Sequence, residues 1–218
     1  MNVTNVSVPT VTNVRCVPAN EATEEDLDAV FGVNNGDYCS RCRCQRFKVP
    51  GWFWRDSTLE ERIQANFDQA ACGIPDAPTS GLVAYVDGEP AGWVAVEPRL
   101  AYPKLLRGTR IPWTGRNEDK DDPGVWAVTC LIVRRGFRGR GLTYDMARAT
   151  IDYARSHGAT ALEAYPMITE PGKEITWGEL HVGARQAFEE AGFVEVHHPT
   201  KRRVVMRVDF ERSDDLQD

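Results

Sequence analysis

An alternation of apolar and polar positions over VTNVRCV (11–17) opens the chain and predicts a strand. ATEEDLDAVFG (22–32) changes to helical spacing, with Thr23 as N-cap and acidic residues in the first turn. Residues 34–54 are rich in cysteine and aromatics and predict no regular element. STLEERIQANFDQAACG (57–73) predicts a second helix: Leu59, Ile63, Phe67 and Ala71 share a face, Ser57 and Glu60 fit a capping box, and Gly73 ends it. In GLVAYVDGEPAGWVAV (81–96), two runs rich in valine and aromatics flank Asp87-Gly88, the signature of a hairpin with a type I′ turn.

After a loop over 101–124, residues 125–133 predict a strand that feeds an arginine- and glycine-rich turn. A helix follows from about Gly141 to His157, with Leu142, Met146, Ala149 and Tyr153 along one face and Gly158 closing it. ATALEAYP (159–166) predicts a strand stopped by Pro166; VGARQAFEEAG (182–192) a helix; FVEVHH (193–198) and KRRVVMRVDF (201–210) two final strands. The order β-α-α-β-β-β-α-β-α-β-β predicts an α/β (α+β) fold, a mixed, mostly antiparallel central sheet with flanking helices rather than a regular βα alternation. We expect one domain over 1–218, with 1–10 and the acidic 211–218 as flexible tails.

Composition narrows the classes. With 42% hydrophobic and 27% charged residues the chain can build a core. A formal net charge of −6 argues against a general nucleic-acid binder and, as an overall balance, favours a cationic small-molecule partner. No apolar run approaches the ~20 residues of a membrane span. The start, MNVTNVSVPTVTNV, has neither a basic n-region nor a long apolar h-region, so a cytoplasmic location is expected.

The chemistry concentrates in RRGFRGRGLTYD (134–145). A glycine-rich turn between a strand and a helix N-terminus presents backbone N–H groups and the positive end of the helix dipole. Gly139 and Gly141 allow close approach, and Arg138 and Arg140 supply charge-assisted hydrogen bonds. The ligand suggested is a diphosphate. There is no G-x-x-x-x-G-K-[ST] phosphate loop, and a dinucleotide fingerprint would need a small residue where Tyr144 stands. A dinucleotide-cofactor enzyme, with Glu163 about where a ribose-binding acid would sit, stays open as an alternative.

Val133, four residues, Arg138, two residues, then Gly141-Leu142-Thr143 resemble the acetyl-CoA motif V-x-x-x-x-[QR]-x-x-G-x-[GA] of the GCN5-related N-acetyltransferase (GNAT) family, with Thr143 at the last small position. The segment from His181 through Ala184 and Phe188 to Gly192-Phe193 is similar to that family's late helix, and the order of elements agrees from about residue 11 to 210. The resemblance implies acetyl-CoA as co-substrate and direct transfer of its acetyl group to a primary amine, without a covalent enzyme intermediate. It places pantetheine on the backbone of Leu131, Ile132 and Val133, and the diphosphate on Arg138, Gly139, Arg140, Gly141, Leu142 and Thr143. His181, where the family often has asparagine, would lie near pantetheine or simply cap a helix. Homodimers are frequent in the family.

The chain departs from the pattern in its acid and base. The late-helix tyrosine is Phe188, which cannot donate a proton, and the glutamate of the central strand is missing from Val125-Trp126-Ala127. Glu163, Glu97 and Tyr165 remain as catalytic candidates. Glu163 lies among Ala161, Leu162, Ala164 and Tyr165, where burial would raise its pKa; an ordinary ion-paired carboxylate is the other reading of both glutamates. Without an acid or base the domain would be a non-catalytic acyl-CoA-binding module. Cys39, Cys42 and Cys44 lack the second spaced pair of a zinc site, so no metal is expected, and Tyr38, Trp52, Phe53 and Trp54 are expected to wall the acceptor pocket or pack under the loop.

Overall fold

A computed structural model describes residues 13–32, 38–170 and 172–211. Their elements, in chain order, are β1 (Val14–Pro18), α1 (Glu24–Phe31), α2 (Tyr38–Cys42), α3 (Gly51–Asp56), α4 (Leu59–Ala70), β2 (Gly81–Val86), β3 (Glu89–Pro98), α5 (Pro103–Arg107), β4 (Val125–Val133), α6 (Leu142–Ser156), β5 (Ala161–Ala164), α7 (Trp177–Leu180), α8 (Arg185–Ala191), β6 (Val194–Thr200) and β7 (Arg203–Asp209). The strands form one seven-stranded sheet in the order β1-β2-β3-β4-β5-β7-β6. Every neighbouring pair is antiparallel except β4 with β5, as the predicted mostly antiparallel sheet requires. A dinucleotide-binding sheet would need repeated parallel crossovers, and this sheet holds a single parallel pair.

One face of the sheet packs Val94, Val96, Val128, Leu131 and Leu162 against Leu142, Met146 and Ile151 of α6 and Phe188 of α8. The other face packs Val83, Trp93, Cys130 and Ile132 against Leu27, Val30 and Phe31 of α1 and Ala70 of α4. In the β3–β4 ladder Ala95 opposes Cys130 but Val96 opposes Val128, which leaves Thr129 as an extra residue in β4. Such a bulge bends a strand and raises its twist. Here it falls where β4 is about to lose its other neighbour.

Several predicted boundaries move for local reasons. Asp87 and Gly88 both have positive φ (52° and 84°), the type I′ geometry expected of the hairpin. The capping box of α4 is Thr58 with Glu61, not Ser57 with Glu60: the Thr58 hydroxyl accepts from the Glu61 N–H at 3.1 Å and the Glu61 carboxylate accepts from the Thr58 N–H at 2.8 Å. Ser57 is already committed to closing α3 through its N–H to Phe53. The helix ends at Ala70, with Ala71 left-handed, ahead of Gly73. The irregular 34–54 stretch contains α2 and α3 within its described part, and the 101–124 loop contains α5. Residues 11, 12 and 33–37 lie outside the described residues, as do the predicted tails except Glu211.

The late helix starts at Arg185 rather than Val182. Gly183 adopts φ 85° with its N–H turned back to the Leu180 carbonyl, and Ala184 bridges to Met167, so 182–184 turn and pair before the helix begins. A Cβ at Gly183 would stand 2.6 Å from the Phe188 ring. Gly183→Ala therefore combines an unfavourable backbone with overpacking and should cost about 2 kcal/mol or more. For a domain of this size that is a fall in Tm of roughly 4–8 °C, measurable by calorimetry.

Candidate active site

β4 and β5 pair only from Val125–Ala161 to Val128–Ala164. Beyond that point the chain leaves β5 through Tyr165 and Pro166, and Pro166 has no N–H to continue a ladder. β4 runs on, and its exposed edge faces the 180–184 segment. Leu131 N–H donates to the His181 carbonyl at 2.6 Å, whereas Arg134 N–H donates to Ala91 of β3. By the alternation of an antiparallel ladder, Leu131 and Val133 turn their backbone groups to the open edge and Ile132 turns its own to β3. Between edge and segment lies a cavity of about 210 Å³ lined by Leu131, Ile132, Val133, Arg138, Gly139, Thr143, Leu180, His181, Gly183 and Ala184.

The end of this cleft meets the N-terminus of α6. Gly139 (φ 74°) and Gly141 (φ 82°) curl the turn in a conformation that favours glycine, and no side chain caps the helix. A Cβ at Gly139 would meet nothing within 4 Å, so the backbone there borders open space. Arg138 donates from Nε to the Val133 carbonyl at 2.9 Å, tying the turn to the strand end. The residues present therefore fit a diphosphate: curled backbone, an uncapped helix start and a fixed guanidinium. Arg140 turns to the Phe137 ring instead (5.5 Å), and the Leu142 side chain is buried in the core. Arg140, Gly141 and Leu142 do not line the cavity, while the other seven expected cofactor residues do.

A second, larger cavity of about 360 Å³ shares His181 with the first. Phe47, Leu105, Tyr165 and Val182 form its apolar wall, and Arg46, Lys104, Arg110 and Arg203 bring positive charge to it. The net charge of the whole chain is no guide to this local sign. The expected aromatic wall lies elsewhere: Trp52 and Phe53 are exposed (64% and 38%), Trp54 stacks with Arg62, and the Tyr38 side chain lies outside the described residues.

A sequence profile of the acetyltransferase (GNAT) family matches residues 44–171. The chain belongs to that family. It is an acetyl-CoA-dependent N-acetyltransferase. The solved structures share the fold at low identity. An aminoglycoside acetyltransferase, AAC(6')-Ib, in complex with paromomycin and acetyl-CoA is 18% identical over 94% of this chain and 98% of its own, with a TM-score of 0.50. An N-acetyltransferase from Staphylococcus aureus Mu50 is 13% identical over 92% of this chain and all of its own, with a TM-score of 0.51. No match was found among curated protein sequences.

In this acetyltransferase the three expected catalytic residues do not meet at one point. Glu163 is fully buried (0% exposed) at the centre of an ion cluster. Arg99 approaches it at 3.3 Å and Arg207 at 3.0 Å, Arg116 grips both carboxylate oxygens, and the Tyr165 hydroxyl donates at 2.9 Å. Glu118 bridges the same three arginines. Burial alone would raise the Glu163 pKa, as the sequence suggested, but Arg116, Arg99 and the Tyr165 hydroxyl outweigh it and hold the pKa below the usual carboxylate range. Tyr165 faces the larger cavity with its hydroxyl spent on Glu163; burial and that carboxylate push its pKa far up. Glu97 sits across β4, opposite Ala127, in an ion pair with Lys48 at 2.6 Å, and lines neither cavity. Phe188 is core, edge-on to Phe193. Cys44 accepts from the Trp93 indole N–H at 3.0 Å, Cys130 is buried, and the Cys39 side chain lies outside the described residues.

His181 is the group at the junction. Its Nδ1 lies 2.8 Å from the Gly178 carbonyl, which can only accept, so Nδ1 carries the proton and Nε2 is the acceptor nitrogen. Burial, with Arg46 and Arg203 nearby, lowers its pKa to about 4 despite the Gly178 bond, so the ring is neutral at physiological pH. Neither the pocket cations nor His181 had a periodic or motif signal in the sequence that marked the larger cavity.

Replacing Glu163 leaves three arginines around an uncharged group. Glu163→Gln should lose about 3–5 kcal/mol of stability at pH 7 by urea unfolding. Because the folded pKa is depressed, the Glu163 contribution is fully present above the unfolded carboxylate pKa of about 4.3 and is lost as pH falls through the lower folded value. The gap between wild type and Glu163→Gln should therefore shrink on acidification below about pH 4.

Proposed function

We propose that this chain, as one domain over 1–218, transfers the acetyl group of acetyl-CoA directly to a primary amine seated in the larger cavity. One observation carries the reading: His181 lines both cavities, so a donor in the cleft and an acceptor in the larger cavity would lie on either side of one residue. Acetyl-CoA supplies an activated carbonyl that a neutral amine can attack. The cleft edge offers the Leu131 and Val133 backbone to pantetheine, and Arg138 with the amides from Gly139 to Thr143 holds the diphosphate. Loading the cleft exchanges the Leu131–His181 backbone bond for one to the ligand. His181 Nε2 accepts a hydrogen bond from the amine and orients its lone pair. Tyr165, Leu105 and Phe47 exclude water on the acceptor side. Thiols unpaired among the described residues at Cys16, Cys44 and Cys72 fit a reducing compartment such as the cytoplasm, and no described helix is long and apolar enough to cross a membrane.

Acetyl-CoA at about 100 times its Kd should stabilise the protein by about 2.7 kcal/mol, and Arg138→Ala together with Gly141→Val should abolish the shift. With an accepted amine, His181→Ala should lower kcat by about 100-fold while leaving the thermal shift intact, and His181→Asn should recover part of the loss. Since the ring is already neutral above about pH 4, the wild-type kcat/KM profile between pH 5 and 8 should show no limb that disappears in His181→Ala. A shift with acetyl-CoA but no thiol release with any amine would leave only a binding module.

A further inference from the structure

The larger cavity has four cationic side chains and one carboxylate along its wall. That carboxylate, Glu179, is engaged elsewhere: Oε1 pairs with Arg202 at 3.3 Å and Oε2 accepts from the Thr176 hydroxyl at 3.0 Å. Among the described residues neither Lys104 nor Arg110 takes part in an ion pair, and Arg203 reaches only the Glu179 carbonyl, at 3.5 Å. The cations also act on one another. Burial, then Arg202 and Arg46, hold the Arg203 pKa down against the pull of Glu179, and Arg46 and Arg203 both contribute to the lowered pKa of His181. Like charges gathered along one wall destabilise one another unless an anion joins them.

We propose that the acceptor amine carries an anionic group, a carboxylate or phosphate, which seats on Lys104, Arg110 and Arg203 and directs the amine towards His181. The proposal rests on the acetyl-transfer reading of the same cavity. The anion anchors the acceptor by charge-assisted bonds remote from the reacting atoms, and that binding energy orients the nitrogen. The nitrogen forms an amide bond to the acetyl carbon as the thioester C–S bond breaks; the products are the N-acetyl compound, CoA thiol and the proton lost by the ammonium. A polycationic acceptor such as an aminoglycoside would meet like charges on this wall.

The test compares small amines of one length, ethylamine, 1,2-diaminoethane, β-alanine and 2-aminoethyl phosphate, by CoA thiol release at low salt. The anionic pair should exceed the neutral and dicationic amines in kcat/KM by at least about tenfold, and the preference should weaken as salt is added. Arg110→Ala and Lys104→Ala should each raise KM for 2-aminoethyl phosphate about tenfold and leave KM for acetyl-CoA unchanged; Arg110 is exposed, so its loss should not impair folding. Arg110→Glu should reverse the preference. Equal or better turnover of 1,2-diaminoethane would overturn the anionic acceptor and leave acetyl transfer standing. If no amine is turned over although acetyl-CoA shifts the melting temperature, the transfer reading fails; calorimetric titration of the acetyl-CoA complex with 2-aminoethyl phosphate and with 1,2-diaminoethane then still decides the sign of the pocket's ligand.

Discussion

The parting of β4 from β5 is the constraint on which the site depends. A parallel pair that ends after four registered positions leaves the second half of β4 with an edge of backbone groups inside the protein. Such groups must find partners. Leu131 finds the His181 carbonyl and Val133 finds the Arg138 guanidinium; the rest of the edge borders the cleft. The bulge at Thr129 bends β4 at the start of this stretch, and Pro166 prevents β5 from following it. Those two local features place His181 beside the strand and leave the space that a ligand with amides of its own can fill. The turn at 134–141 then delivers the start of α6 to the far end of the same edge.

The arginine–glutamate cluster has a different task from the one a buried carboxylate first suggests. A base must be able to take a proton near neutral pH, whereas Glu163 is ionised, fully engaged and held so by three arginines. Its output to the site is mechanical. Tyr165 donates into the cluster and also lines the larger cavity, so the cluster fixes one wall of that cavity. Glu97 and Lys48 form a separate pair two strands over, with Lys48 against the Tyr102 ring. Both glutamates flank Ala127 from adjacent strands and so lie on one face of the sheet, yet each is balanced by its own cations.

The sheet, the hairpin and the glycine-rich turn between β4 and α6 were legible because each is written in contiguous residues: alternation, Asp87-Gly88, and the run from Val133 to Thr143. The cleft residues Leu131 to Val133 followed from the same run. Boundaries failed where two elements compete for one residue, as Ser57 shows by closing α3 instead of opening α4. The depressed pKa of Glu163 was illegible because Arg99, Arg116 and Arg207 are far from it in sequence and reach it from the end of β3, a loop and the neighbouring strand β7. Alanines on either side reveal burial but say nothing of charge brought from elsewhere. The cationic wall is assembled in the same way, from Arg46, Lys104, Arg110 and Arg203, four positions with no common period. Net charge pointed the other way, since an acidic chain can still hold a basic cavity.

The missing acid and base become less of a difficulty once that wall is considered with the chemistry. An amine must lose its proton before it can attack, and a nearby cation lowers an ammonium pKa by disfavouring the charged form. One unit charge about 8 Å away, at an effective dielectric constant of about 20, contributes about 2 kcal/mol, or about 1.5 pKa units. Lys104, Arg110 and Arg203 set against one singly charged bound anion still leave a field of that sign, strengthened as the acceptor displaces water from among Phe47, Leu105 and Tyr165. A carboxylate base placed there would act against this, because its charge would favour the ammonium. In the proposed reading a neutral His181 accepts a hydrogen bond without adding charge; burial first, then Arg46 and Arg203, lowers its pKa. Under the proposed reading the cationic wall thus lessens the need for a base: a lowered ammonium pKa supplies the neutral nucleophile, and the geometry has only to aim it.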